Sequence, residues 1–151
     1  MKTFRQLLAS IIIVFYAANL YAQKDPELKI ETRADNYTIS HVVFNSTFVL
    51  PEVAKAYGIK RSKNESLLNV SIIPDGTHGS VPATLSGTVT NLMQQQKVLS
   101  FKEIQEDGVS YYLAPVRIGN EEVLRFKLEV TPLNGDKSYE VTFKQTVYAD
   151  E

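Results

Sequence analysis

His41 and His78 are the two imidazoles of the chain, and the chemistry open to them is metal ligation, with a carboxylate such as Asp75 as a third ligand. They do not form an i, i+2 or i, i+4 pair on one element, and Thr77-His78-Gly79-Ser80 reads as a loop. Both are therefore expected to be packed or exposed histidines, with no metal bound. Glu121-Glu122 and the trio Glu103, Glu106 and Asp107 are the right residue types for an acid and a base. They fall at expected turns, where carboxylates are commonly just solvated. Ser86-Gly87 sits in an alternating stretch with no Gly-x-Ser-x-Gly elbow around it, and there is no phosphate loop or dinucleotide fingerprint. The chain has no cysteine, which removes thiol nucleophiles, Cys-based zinc sites and iron–sulfur clusters together. The expectation is a protein that is not an enzyme, with no catalytic residue and no cofactor.

Binding chemistry is better represented. Lys55, Lys60, Arg61 and Lys63 gather around and beyond the short stretch PEVAKAYG, beside Tyr57, Ser62 and Asn64. Pro51 suits a first helical position, Glu52 complements the positive helix start and Gly58 suits a left-handed stop, so a two-turn helix is expected over these residues. Val53 and Tyr57, four apart, would share the face that packs inward. Tyr57, Lys60, Arg61, Lys63 and Asn64 form the candidate binding surface, for an anion or a protein partner. The competing reading is a solvated crossover between sheets, its basic residues neutralising the helix C-terminus.

Strands must position this segment. VPATLSGTV, VLRFKLEV and YEVTFKQTVY alternate apolar and polar residues with period two, as half-buried antiparallel strands do. LKIET, YTISHVVF, LLNVSII, VLSFKEI and SYYLAPV are the other candidates. Asp107-Gly108 and Asn134-Gly135-Asp136 supply hairpin turns, and Pro74-Asp75-Gly76 ends a strand. Pro115 points to a sheet edge or a bulge. Tyr111 and Tyr112 are adjacent, so they face opposite sides, and a tyrosine-corner role is expected for one of them. The fold class is all-β: an immunoglobulin-like antiparallel sandwich of about seven or eight strands, with one short helix in a crossover. A small closed barrel is the second choice.

Residues 1–22 have the layout of a secretory signal peptide: Lys2 and Arg5, an apolar run from Leu7 to Ala18, and a small residue at Ala22. Cleavage is expected near Ala22, leaving residues 23–151 as a single domain in the periplasm with no stable membrane insertion. Lys and Arg total 16 against 17 Asp and Glu, and the leader holds two of the basic residues and no acidic one. The exported domain is thus weakly acidic and has no overall attraction to nucleic acid.

Taken together, FNSTF, PEVAKAYGI and RSKN, the TNL before a glutamine run, YYLAPV and NEEVLRF resemble DUF4426, a family of exported bacterial proteins defined by a domain of unknown function. The resemblance spans essentially the whole exported chain. It implies a small β-sandwich of the cell envelope and supplies no catalytic residues. The functional expectation is a non-enzymatic interaction module that engages an envelope protein through a sheet edge or the 44–64 segment. The alternative is a carrier or sensor of a small polar or anionic ligand held near residues 57–64.

Overall fold

A computed structural model describes residues 28–151, so the expected leader, its expected cleavage point near Ala22 and the residues just after it lie outside the described residues. Within them, nine strands form two antiparallel sheets. In chain order the elements are β1 (Glu31–Ala34), β2 (Tyr37–Asn45), a 3-10 turn (Ser46–Phe48), α1 (Pro51–Tyr57), β3 (Glu65–Pro74), β4 (Ala83–Thr90), β5 (Gln96–Val98), β6 (Lys102–Glu106), β7 (Val109–Arg117), β8 (Glu121–Pro132) and β9 (Tyr139–Tyr148). The first sheet runs β1-β2-β3-β7-β6 and the second β5-β4-β8-β9. The arrangement is an open sandwich, as the alternation implies.

Burial follows the period of two. Leu124, Phe126, Leu128 and Val130 of β8 point into the core while Arg125, Lys127 and Glu129 stay exposed, and Val141, Phe143 and Val147 of β9 do the same. Facing them from the first sheet are Ile39, Val43, Leu68, Val70, Ile72 and Ala114. Each large apolar side chain taken fully out of water contributes about 1.5–3 kcal/mol. Tyr112 is buried and ties the two sheets together. Its hydroxyl accepts the Ala83 N–H at 2.7 Å and donates to Glu103 at 3.1 Å. This bond reaches across the sandwich to β4, where a tyrosine corner would bond within its own strand corner.

Two expectations about connections change. VLSFKEI reads as one strand but is two: β5 belongs to the second sheet, β6 to the first, and the chain crosses between sheets at 99–101 with Leu99 buried. The 44–64 segment, read as a sheet crossover, ends β2 and joins it to β3 through residues 46–64. These are antiparallel neighbours in one sheet, paired from Tyr37↔Pro74 through Asn45↔Ser66. The segment is therefore a long excursion within a hairpin, and its helix returns over the sheet that it left.

Turn chemistry is mostly as expected. Asp107 and Gly108 both take positive φ (51° and 79°), which the β6–β7 hairpin needs, and Gly76 takes φ 73°. The β8–β9 turn does not use the left-handed freedom of Asn134-Gly135; it closes through a Gly135 N–H bond to the Pro132 carbonyl at 2.9 Å.

Candidate functional site

The 46–64 excursion is held by hydrogen bonds at both ends. Ser46, fully buried, accepts the Ser62 N–H at 2.9 Å and donates to the Ser62 carbonyl at 3.0 Å. Residues that follow β9 clamp the same place. Asp150 N–H donates to the Lys63 carbonyl at 3.0 Å, and the Asp150 carboxylate accepts from the Thr47 hydroxyl. Ile118 N–H donates to the Asn64 carbonyl at 3.0 Å.

Helix α1 starts at Pro51 and stops at Gly58, whose φ of 63° is the left-handed conformation expected there. Bonds from Gly58 N–H to Lys55 and from Ile59 N–H to Ala54 satisfy the last carbonyls in the Schellman manner. The inward face differs from the expected one: Ala54 is the buried residue, while Val53 is exposed and Tyr57 half-buried. The small Ala54 side chain lets the backbone approach closely. Tyr57 instead faces sideways and donates its hydroxyl to Glu106 of β6, and its carbonyl accepts from Lys102 Nζ. That hydrogen bond to a carboxylate is the main reason that the Tyr57 phenol is harder to ionise than an ordinary tyrosine.

Leu67 and Ile104 are buried on the outer face of the first sheet, away from the main core. The Tyr57 and Lys102 bonds bring α1 to the β6 side of that face. Where α1 ends, a groove of about 350 Å³ opens between Gly58–Lys60 and the sheet. Ile59, Leu67, Leu113 and Pro115 give it an apolar floor; Lys60, Lys102, Glu65 and Ser100 give it a polar rim.

The groove runs beside unpaired backbone. β6 begins at Lys102, opposite Leu113, so among the described residues no strand pairs with β7 on that side beyond residue 113. The Ile118 bond to Asn64 sets the phase of the antiparallel ladder: Val116 and Ala114 turn towards β3, while Pro115 and Arg117 turn to the vacated side. Pro115 thus sits where its missing N–H costs no ladder bond, which is the edge that its presence implied. The Pro115 carbonyl and both backbone groups of Arg117 face the opening.

Of the five candidate residues, Lys60 lines this groove and Tyr57 holds the helix that leads into its lip at residues 58–60. The other three are not brought to it. Arg61 donates to the Thr47 carbonyl at 2.9 Å, and Lys63 and Asn64 contribute carbonyls to the clamp. Leu67, Leu113 and Ser100 carry no functional signal in the sequence, where they look like ordinary strand and connector residues; Pro115 is the one visible sign.

The metal reading of the histidines does not assemble. Asp75 is held by both Arg33 guanidinium nitrogens at 2.8 and 2.9 Å, His78 is exposed in its loop, and His41 is fully buried against Phe143. Among the described residues no group of three or more His, Cys, Asp or Glu side chains is placed to hold a metal ion. Likewise among these residues, no helix is long and apolar enough to cross a membrane.

The chain is a member of DUF4426, a domain of unknown function, whose family profile matches residues 31–150. A DUF4426 family protein from Pseudomonas aeruginosa PAO1, solved by crystallography, is 30% identical, with a TM-score of 0.72 over 80% of this chain and 95% of the other. FetP of uropathogenic Escherichia coli strain F11, recombinantly expressed in the periplasm, is similar in fold at 13% identity and a TM-score of 0.58, covering 80% of this chain and 94% of its own. A copper-bound variant of FetP is 12% identical with the same TM-score, covering 79% and 94%. No curated protein matches.

Proposed function

We propose that this domain is a non-enzymatic protein-interaction module of the bacterial periplasm, and that it captures an extended peptide segment of another envelope protein. The observation that carries this reading is the coincidence of unpaired β7 backbone at 115–117 with an apolar groove whose lip is the 58–60 stretch. A peptide laid along β7 as an added strand would gain main-chain hydrogen bonds from Pro115 and Arg117. One of its apolar side chains would drop between Ile59, Leu67 and Leu113. Lys60 favours an acidic residue beside that anchor. Beyond Lys60, Arg61 braces the excursion through its bond to the Thr47 carbonyl, and Lys63 and Asn64 do so through their own carbonyls.

Photo-crosslinking in cells tests this, with the probe at position 60 and a control probe at Thr84, an exposed residue on the far sheet. A discrete protein adduct from position 60 and none from Thr84 is the expected result. Equal or absent adducts at both positions would remove the groove as a protein contact. The second reading, a small anionic ligand held near residues 57–64, draws on the groove's volume, which lies at the lower end of small-ligand sites. Its mark would be a thermal shift with a small carboxylate or phosphate that Lys60→Ala abolishes. Copper is the FetP variant's ligand; the fold likeness alone carries no metal to this chain.

A further inference from the structure

The outer edge of β9 pairs with no other strand among the described residues. A bond from Ala149 N–H to the Asn120 carbonyl, 2.9 Å, sets its phase. Odd-numbered residues of β9 turn their backbone groups to β8, so Glu140, Thr142, Lys144 and Thr146 present theirs to the open edge. The same four expose their side chains on the outer face of the sheet.

On that face the β8–β9 ladder holds two like-charged pairs. Glu140 lies directly opposite Glu129, and Lys144 directly opposite Arg125. Like charges in direct register weaken a sheet. Lys127 relieves Glu140 with a contact at 3.0 Å. No carboxylate among the described residues comes within ion-pair distance of Arg125 or Lys144.

We propose that β9 is a self-association edge. A second copy of this chain adds to it antiparallel, about a two-fold axis through Thr142. In that register Thr142 faces Thr142 of the second copy, and each Glu140 faces the other copy's Lys144. One strand further in, Glu129 and Arg125 extend the match, so the acidic end of each sheet lies against the basic end of the other. Neighbouring registers do worse. An axis on Glu140 or on Lys144 sets like charges face to face, and an axis on 141 or 143 brings no opposite charges into direct register. The product is one continuous sheet in the order β5-β4-β8-β9-β9-β8-β4-β5, closed by a symmetric interface. A long edge that would otherwise invite unspecific pairing is thereby covered.

Sedimentation of the purified protein tests the proposal through charge reversal and its repair. The wild type should show a dimer that weakens with salt. Glu140→Lys alone and Lys144→Glu alone should each weaken association by about tenfold or more. The double variant, which restores opposite charges across the axis, should recover it. Because the chain has no native cysteine, Thr142→Cys gives an independent readout. Two such residues paired across a ladder stand about 5.5 Å apart at Cα, within disulfide range. Mild oxidation should link Thr142→Cys into a covalent dimer and leave Thr146→Cys monomeric. A monomeric wild type, a dimer indifferent to both reversals, or equal crosslinking at 142 and 146 would overturn the proposal.

Discussion

His41 stacks on Phe143 at 4.1 Å, with Nε2 3.1 Å from the Thr32 hydroxyl and Nδ1 without a partner. Burial, helped by a smaller repulsion from Lys29, pulls its pKa from 6.5 down to about 4. The unfolded chain therefore takes up a proton near pH 6.5 that the folded protein refuses until about pH 4. Stability is complete above that window and falls as pH drops through it, at most by about 1.36 kcal/mol per unit and roughly 3 kcal/mol in all. Urea unfolding at neutral and at mildly acidic pH measures this. His41→Phe, which keeps a ring against Phe143, should flatten that part of the profile. Gly87 makes a second demand at this scale. A Cβ there would stand 2.8 Å from the Lys127 carbonyl oxygen and 2.7 Å from Leu128 Cδ2. A backbone carbonyl in a paired strand cannot step aside, so Gly87→Ala should cost about 1–3 kcal/mol in a thermal or urea melt. The sequence offers His41 only as an imidazole to be weighed for metal binding and Gly87 only as a strand residue, because both effects come from the neighbour across the sandwich or the ladder.

Strands are the scale at which the sequence speaks most clearly. β8 and β9 announce both their extent and their inward faces, since every second residue is apolar over a long run. VLSFKEI misleads because Leu99 and Phe101 continue the alternation through the very residues that cross between sheets. Val53 misleads because helical spacing alone does not weigh the bulk that a close approach can accept. Pro115 is informative because it reports on a backbone group, and its prediction belongs here. Pro115→Ala should change stability by less than about 1 kcal/mol, since the restored N–H faces the vacated side. Val116→Pro should cost about 3 kcal/mol or more, because Val116 turns to β3 opposite Ser66 and its ladder bond would be lost. Chemical denaturation of the two variants side by side decides the matter.

For the molecule as a whole, the first sheet is covered within by the second sheet, and without, over Leu67, by the 46–64 excursion. Leu67 is 2% exposed although it faces away from the main core, and Leu67→Ala should destabilise by about 2–5 kcal/mol, close to the cost of a central core position. A loss under about 1 kcal/mol would mean that the excursion lies loosely on the sheet. This outer layer is the least legible part of the protein. Composition and alternation define a sandwich, but which strand stops short of its neighbour is settled by pairing, and the groove exists because β6 begins only at Lys102. Lys60 is visible in the sequence as a charge and invisible as a rim.

Asp150 holds both ends of the excursion through Thr47 and Lys63, although it follows every groove residue in the chain. Polypeptides are made from the N-terminus onward, so this fastening joins the Ser46–Ser62 and Tyr57–Glu106 bonds only once residue 150 has been made. A growing chain carries every groove residue long before it carries the latch. A chain cut after Ala149 should keep the sandwich and lose the Asp150 bonds to Thr47 and Lys63.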